Sequence, residues 1–159
     1  MHFSPTPSTD QPRRQHWLLI RGTGDRPLGA RVATEALRGH SSTRRPAVQK
    51  GDLAVCYAST WRSIFAIVEV VGDPEEDLSR RRWRWRFALR PLLAVADLRE
   101  APPVEAAGVF PRSLGRHSYV RLTPEQFRDG RDAIAAAASG CSIAAREAGP
   151  NKSIAGREE

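Results

Sequence analysis

Short runs of apolar side chains, separated by polar and turn-forming residues, dominate the first two thirds of the chain. Three runs are rich in Leu, Ile and Val, which is typical of strands buried on both faces; they cover residues 16–20, 53–58 and 64–71. The connection at 59–63 is short enough to join the last two as a hairpin. Residues 117–122 predict a further strand, and 92–98 an apolar stretch that is either strand or turn.

A strict alternation of apolar and basic residues marks the segment 83–90. Successive side chains of a strand point to opposite faces of the sheet. One face would carry Trp83, Trp85, Phe87 and Leu89, and the other Arg84, Arg86, Ala88 and Arg90. The alternation therefore predicts a strand with one apolar face and one largely basic face.

Residues 30–38 have the spacing of an amphipathic helix. Their apolar residues fall on one stripe, which consists of Val32, Ala33, Ala36 and Leu37. Gly39 follows at a position where helices commonly end. The pattern predicts a helix after the first strand, followed by a polar, basic loop at 40–46.

A second helix is predicted from Thr123 onward. Thr123 has the properties of an N-cap, Pro124 suits the first helical position, and Gln126 can complete a capping box with the threonine. Apolar and alanine residues continue this helix to about Ser139–Gly140.

These elements predict an α+β fold with a mostly antiparallel, barrel-like sheet. The 159 residues suffice for one compact domain and are too few for two ordinary ones. We place this domain at residues 15–139. Residues 1–14 are polar and rich in Pro and Ser, and we expect a disordered leader there; residues 140–159 are small, polar and aperiodic, and we expect a flexible tail.

The composition excludes several classes of protein. No segment approaches the roughly 18 consecutive apolar residues of a membrane span, and the first residues lack the apolar stretch of a signal peptide, so we expect a cytoplasmic protein. Cys56 and Cys141 lie far apart without a C-x-x-C pair, and the four histidines have no ligand spacing. We therefore expect no disulfide framework, no metal and no cofactor.

Positive charge is concentrated in the middle of the chain. The net charge of +7 arises from 25 basic and 18 acidic residues, and 23 of the basic residues are arginine. Residues 80–122 contain ten arginines and three acidic residues, whereas the segments on either side are almost balanced. Because basic patches bind phosphate and release its counterions, the clustering favours a nucleic-acid partner. A GC-rich coding sequence would explain the preference for arginine but not its clustering.

Several segments, taken in order, resemble the EVE domains of the PUA-like superfamily. They are the opening strand at 16–19, Lys50-Gly51-Asp52 with the strand 55–59, the strand 67–71 with Asp77, the segment from Trp83 or Trp85 to Leu98, and Arg116-x-Ser118 with the helix start at 122–127. The resemblance covers roughly residues 16–135. Many EVE domains carry a Trp and an Arg-Asn pair before the first helix, and residues 23–36 of this chain have neither.

The resemblance implies a PUA-like, mostly antiparallel β pseudo-barrel flanked by two or three helices and related to the YTH domains, which bind methylated adenine in RNA. It also implies an aromatic-lined pocket for a modified base, a methylated or hydroxymethylated cytosine. We therefore expect a monomeric, non-enzymatic module that binds DNA or RNA carrying such a base, with no membrane or metal partner.

An extruded or single-stranded base needs aromatic faces to stack on. The candidates are Tyr57, Trp61, Trp83 and Trp85. Trp61, in the predicted hairpin connection, is either a pocket wall or a lid over the sheet edge. By analogy with YTH and EVE domains, Trp83 would line the pocket and Trp85 fill the core, although the two could exchange roles. Trp17 lies within an apolar run and is expected in the core.

Polar side chains near strand ends are candidates to bind the edge of the base. Ser59 and Ser118 can bond a base or cap the backbone, and the resemblance places Arg21 on the ligand side of the first strand. Arg116 can bind phosphate bidentately or pair with an internal acid. His117 is out of phase with its neighbours and is expected to be a core histidine.

The segment 80–86 interleaves five arginines with two tryptophans. Such a segment suits a groove that follows a phosphate backbone beside a stacking site. We therefore expect phosphate contacts from Arg80, Arg82, Arg84, Arg86 and Arg116. The alternative is a solvated basic edge that prevents sheet-to-sheet association.

Three other functions are weighed against a modified-base pocket. Catalysis would need a nucleophile with a base, a carboxylate pair or a metal cluster; residues 75–77 are crowded acids in a polar loop, and P-loop, G-x-S-x-G and H-x-x-x-H motifs are absent. The principal alternative is a PUA-like RNA-binding module that recognises tRNA or rRNA by shape without a modified-base cage. A protein-interaction module is the third.

Overall fold

The computed structural model describes the backbone of residues 14–23, 25–115 and 117–155, with side chains up to Ser139. These ranges contain seven strands and one α-helix: β1 (His16–Arg21), β2 (Gly39–Ser42), β3 (Leu53–Ala58), β4 (Ser63–Val70), β5 (Glu75–Glu76), β6 (Trp85–Ala94), β7 (Tyr119–Leu122) and α1 (Pro124–Ala155). Short 3-10 helical turns lie at Thr34–Leu37, Leu98–Glu100, Val104–Ala107 and Pro111–Leu114. The predicted α+β class is confirmed.

The strands form one curled, half-barrel sheet in the order β2-β6-β4-β3-β1-β7, and β5 pairs with β6. β1 and β3 are parallel, from His16 opposite Leu53 to Arg21 opposite Ala58. The other strand pairings are antiparallel and include the predicted β3–β4 hairpin. The predicted barrel-like, mostly antiparallel sheet is therefore confirmed in outline, with one parallel pair at its centre.

Buried side chains form a layer on each face of the sheet. Val55 of β3 packs into the layer that contains Phe127 and Ile134 of α1. Cys56 and Phe65 pack into the other layer, inside the curled sheet. Because β3 and β4 are covered on both faces, their sequences are continuous apolar runs rather than alternating ones.

The predicted amphipathic helix at 30–38 is wrong. Only Thr34–Leu37 form a helical turn, of the 3-10 type, and Gly39–Ser42 form β2 where a loop was predicted. β-Branched residues and the short span between two glycines give this stretch little intrinsic helix stability. Of the four stripe residues, Leu37 alone is buried. With α1 as the single α-helix of the described residues, the expectation of two or three flanking helices is also wrong.

The helix α1 begins where it was predicted. The backbone N–H of Gln126 donates to Thr123 Oγ1 (3.1 Å) and that of Thr123 donates to Gln126 Oε1 (3.0 Å), so the capping box is formed. The helix continues to Ala155, past the predicted end at 139–140. A glycine within a helix costs only about 1 kcal/mol, so Gly140 does not by itself end an alanine-rich helix.

The predicted leader, residues 1–14, lies outside the described residues except for Arg14, and the side chains of the predicted tail lie outside them as well. The strand predicted at 83–90 begins two residues later, at Trp85, and extends into the apolar stretch 92–98 as far as Ala94. No helix in the described part of the chain is long and apolar enough to cross a membrane.

The buried carboxylate of Asp52 fixes the start of the central parallel pair. It accepts hydrogen bonds from the backbone N–H groups of Gln15 (3.1 Å) and Gln49 (2.9 Å) and from the indole Nε1 of Trp17 (2.8 Å). Trp17 lies in the core as predicted, with 4% of its surface exposed. Asp52 therefore connects β1 to the turn that leads into β3.

Replacement of Asp52 should destabilise the fold strongly. We expect Asp52→Ala to lower the free energy of unfolding by about 2–4 kcal/mol, because it leaves a buried indole N–H and backbone N–H groups without an acceptor. Urea denaturation followed by tryptophan fluorescence measures the change. The control is Asp73→Ala, which removes one exposed backbone bond, from Lys50 (3.0 Å), and should cost less than about 1 kcal/mol. Equal losses in the two variants would contradict this role of Asp52.

Candidate functional site

A cleft of about 1170 Å³ opens at the end of the sheet where β1 and β3 finish. Because these strands are parallel, Arg21 and Ala58 end side by side, and the loops that follow them form two walls. The other walls come from residues 82–83 and from residues 105, 110–112, 114, 115, 117 and 118. A recess of about 300 Å³ beside it shares Trp83 and Ser118 with the cleft.

Three aromatic side chains line the cleft: Tyr57, Trp83 and Phe110. Tyr57 is buried at the end of β3, Trp83 is half-buried and Phe110 is 73% exposed. Trp83 and Phe110 therefore offer aromatic surface to the cleft, whereas Tyr57, with 3% of its surface exposed, offers little. Such surface is suited to stacking a flat ring.

Trp83 has a strained backbone. Its φ is +59°, in the left-handed region that bulky residues rarely adopt. The carbonyl of Trp83 accepts a hydrogen bond from Arg80 (3.3 Å), and the Arg84 side chain donates to the carbonyl of Arg80 (2.7 Å). These bonds hold the loop that places the indole in the cleft. The other non-glycine residue with positive φ among the described ones, Arg62 (+54°), lines the same cleft.

Charged side chains surround the aromatic surface. Arg62, Arg82 and Arg112 line the cleft, together with one carboxylate, Glu105. The guanidinium of Arg82 lies 5.5 Å from the centre of the Trp83 ring. The balance is positive, so the cleft attracts anionic ligands, and guanidinium groups can bind phosphate oxygens bidentately.

The hydroxyl of Tyr57 is kept protonated by its surroundings. Burial raises its pKa, the Arg62 guanidinium opposes this, and the Glu105 carboxylate adds to it. At neutral pH the phenol is therefore a hydrogen-bond donor as well as an acceptor.

A buried histidine holds the sheet closed beside the recess. The Nε2 of His40, on β2, donates to the carbonyl of Ser118, just before β7 (2.9 Å). Its Nδ1 accepts from the guanidinium of Arg21 (3.2 Å). Arg21 also donates to the carbonyls of Gly39 (2.6 Å) and Ala36. Burial first and Arg21 second lower the pKa of His40 from 6.5 to about 3. The imidazole is thus neutral and connects β1, β2 and the start of β7.

The predicted pocket residues divide into three groups. Tyr57, Ser59, Trp83 and Ser118 line the cleft. Arg21 lines the recess, but its guanidinium is engaged by His40 and two carbonyls. Trp61 and Trp85 lie elsewhere.

The two tryptophans outside the cleft have structural contacts. Trp61 packs against the core and donates from Nε1 to the carbonyl of Leu28 (2.8 Å), so it anchors the loop after β1. Trp85 is half-buried at the start of β6, where the guanidinium of Arg45 covers its ring at 5.5 Å from the centroid. The alternation that paired it with Trp83 fails, because Trp83 precedes β6 and its positive φ turns the chain.

The arginines predicted to contact phosphate are separated by the structure. Arg82 lines the cleft. Arg80 and Arg84 bond the backbone of their own loop, and Arg84 also lies 3.9 Å from the carboxylate of Glu76. Arg86 is exposed on β6, outside the cleft. Arg116 lies outside the described residues.

Several cleft residues were not predicted from the sequence. His117, expected in the core, is exposed and lines the cleft, because it precedes β7 and strand alternation does not apply to it. Phe110 could have been proposed from the sequence, because it is the single aromatic residue in a segment rich in Pro and Gly. The same reasoning made Trp61 a candidate in its predicted turn. No sequence pattern identifies Arg62, Glu105 and Arg112 as cleft residues, because only tertiary packing brings them together.

The cleft is equipped for binding flat, anionic or polar ligands. It combines ring surfaces with the hydroxyls of Ser59, Ser118 and Tyr57 and with guanidinium groups. Within the described ranges, no group of three or more His, Cys, Asp or Glu side chains could hold a metal ion.

Comparison with known proteins identifies the fold alone. No protein-family model matches the chain, and no curated protein matches it. Among solved structures it is similar to Rpa0253 from Rhodopseudomonas palustris, with a TM-score of 0.53 and 17% identity over 77% of this chain and 94% of that one. It is also similar to Atu2648 from Agrobacterium tumefaciens, with a TM-score of 0.50 and 18% identity over 75% of this chain and 92% of that one. Both are structural-genomics targets.

The buried His40 should make the stability of the fold depend on pH. Its pKa is 6.5 before folding and about 3 after it, so its contribution to stability is complete above pH 6.5 and is lost as the pH falls from 6.5 to 3. At about 1.4 kcal/mol per pKa unit, we expect this group to lower the free energy of unfolding by about 2 kcal/mol between about pH 7 and pH 5. Urea denaturation at a series of pH values measures it.

Two variants isolate the contribution of His40. His40→Gln retains a neutral donor for the Ser118 carbonyl and should lose this part of the pH dependence. His117→Gln removes an exposed histidine that lines the same recess and should retain this pH dependence. Burial and Arg14 also lower the pKa of His16, but that contribution is common to all variants. An unchanged pH dependence in His40→Gln would exclude His40 as its source.

Proposed function

We propose that this protein binds DNA or RNA by inserting one modified base, a methylated or hydroxymethylated cytosine, into the cleft at the end of β1 and β3. The observation that carries the proposal is the lining of the cleft, in which aromatic rings, hydroxyls and guanidinium groups converge. A base needs a ring to stack on and polar groups for its edge, and its phosphates need cations. We propose no chemical step on the base.

The backbone strain at the cleft supports this proposal. A left-handed tryptophan costs free energy, of the order of 1–3 kcal/mol, and persists only where surrounding bonds hold it. Such strain is concentrated at functional sites. Trp83 and Arg62 both have it, and both face the cleft. Stability alone gives no reason to turn a large aromatic ring away from the core at this cost.

The arginines of the cleft fit the phosphates on either side of an inserted base. Arg82 and Arg112 line the opening together with the exposed ring of Phe110. The base would leave the strand between them, while its neighbours remain outside. A single strand, or a duplex from which one base is extruded, satisfies this arrangement.

The EVE resemblance agrees with this proposal at the level of architecture. A curled sheet with the helix α1 packed on one face, and with the ligand at the end of its first strand, is compatible with a PUA-like pseudo-barrel. We therefore propose a PUA-like fold and an EVE-type module.

Trp83 should contribute to binding only when a base is inserted. We expect Trp83→Ala to weaken binding of an oligonucleotide with one 5-methylcytosine or 5-hydroxymethylcytosine by roughly 1–3 kcal/mol, the usual contribution of one stacked base. Binding of the unmodified strand should change little. Fluorescence-anisotropy titrations at one salt concentration, with a methyladenine strand for comparison, measure both.

Trp85→Ala is the matched control, because Trp85 is half-buried and flanked by arginines but lies outside the cleft. It should leave the preference for the modified base unchanged. Equal losses for modified and unmodified strands in Trp83→Ala would favour the PUA-like module that recognises RNA by shape.

The cleft arginines should determine the salt dependence of binding. On single strands, log K falls with log salt by about 0.7 for each phosphate contact. We expect the double variant Arg82→Ala, Arg112→Ala to reduce this slope by about 1.4, since two contacts are removed. Titrations at several salt concentrations measure it.

The control double variant is Arg90→Ala, Arg99→Ala, which removes the same charge at two positions outside the cleft. Arg90 pairs with Glu69 and Arg99 with Asp97, each at 2.7 Å. Its slope should remain close to that of the wild type. The same slope in both double variants would place the phosphate contacts elsewhere.

A further inference from the structure

One acidic side chain stands among the arginines of the cleft. Glu105 lines it beside Tyr57 and Arg62, on the 3-10 turn Val104–Ala107. It is exposed, and the ion pairs formed within the described residues do not include it. A lone carboxylate weakens phosphate binding, so its presence in a basic cleft calls for another explanation.

The backbone around Glu105 is fixed to the sheet. The N–H of Ile64 donates to the carbonyl of Pro102 (2.9 Å), and the N–H of Val104 donates to the carbonyl of Arg62 (3.0 Å). Val104 and Ala107, on either side of Glu105, are buried. The turn is thus held on both sides of Glu105, and the carboxylate is presented to the cleft from a rigid support.

The chemistry of Glu105 differs from that of the other polar groups in the cleft. An ionised carboxylate only accepts hydrogen bonds, whereas Arg62 only donates them and the Tyr57 hydroxyl does both. Together, the carboxylate of Glu105 and the guanidinium of Arg62 match a base edge that has an amino group next to a ring nitrogen. The carboxylate accepts from the amino group, and the guanidinium donates to the ring nitrogen. Cytosine has this edge, and acidic side chains accept hydrogen bonds from its 4-amino group. Thymine and uracil present a carbonyl oxygen in its place, which a carboxylate repels.

We propose that Glu105 is a specificity-determining residue, which accepts a hydrogen bond from the 4-amino group of the inserted pyrimidine and so selects cytosine-type bases over thymine and uracil. This inference rests on the proposed function and names the residue that discriminates between the bases. Arg62 donates to the ring nitrogen or carbonyl beside the amino group, and Trp83 stacks on the ring.

A pair of ligands tests the hydrogen-bonding edge of the base while the rest of the ring stays the same. 5-Methylcytosine and thymine have the same ring size and the same methyl group, and they differ at the 4-position and in the protonation of the adjacent ring nitrogen. Two short single-stranded oligonucleotides of one sequence, differing only in this base, are titrated by fluorescence anisotropy, in DNA and in RNA form. Wild-type protein should bind the 5-methylcytosine strand about tenfold more tightly.

Glu105→Gln tests the carboxylate. Glutamine has the same size but can donate as well as accept, so the preference should fall to about twofold or less. Glu100→Gln is the matched control: it removes an exposed carboxylate from the neighbouring turn Leu98–Glu100, outside the cleft, and should retain the full preference. Thermal denaturation of each variant checks that the fold is intact.

The outcomes separate this inference from the proposed function. If Trp83→Ala weakens binding but Glu105→Gln keeps the preference for 5-methylcytosine over thymine, the base enters the cleft and Glu105 does not select it. Wild-type binding without a preference between the two strands overturns the inference in the same way. Failure of the wild type to bind either strand overturns both the inference and the proposed function.

Discussion

A neutral, buried imidazole holds the curled sheet closed. β2 and β7 are the two ends of the strand order, and His40 bonds the one to the carbonyl that precedes the other. That carbonyl, of Ser118, also accepts from the backbone N–H of Ile20 (3.0 Å), so both its lone pairs are used. A protonated His40 would face the Arg21 guanidinium at 3.2 Å, and because His40 is buried, the repulsion between the two charges would be only weakly screened. Closure of the sheet and the position of the recess therefore depend on the imidazole staying neutral.

The arginines in the segment before β6 have two different roles: some stabilise the loop, and another lines the cleft. Arg80 and Arg84 satisfy backbone carbonyls and hold Trp83 in its strained conformation, while Arg82 lines the cleft. A guanidinium that bonds a carbonyl has fewer donors left for phosphate. The number of arginines in the sequence thus overstates the number of guanidinium groups that are free to bind an anion, since some of them stabilise the loop that carries the aromatic ring.

The features that could be predicted from the sequence are those that depend on residues close together along the chain. The capping box at Thr123 and Gln126 depends on neighbouring residues alone, and the β3–β4 hairpin on a short connection, so both were found. The stripe at 30–38 was misleading, because helical spacing does not form a helix without packing along it. Tyr57, Ser59, Trp83 and Ser118 were placed in the pocket from strand ends and from the resemblance. Glu105 and Arg62 meet only through tertiary packing, which a single sequence does not contain.

The parallel pairing of β1 with β3 accounts for the position of the cleft. In an antiparallel pair, the ends of consecutive strands lie at opposite edges of a sheet, and the loops that follow them are separated. Here both strands finish at the same end of the sheet, so the loop after Arg21 and the turn after Ala58 face each other across the cleft. Residues 82–83, 110–112 and 117–118, together with Glu105, line the sides of the cleft. The topology thus provides the opening, and the loops, with Trp83, Arg62 and Glu105, provide its chemistry.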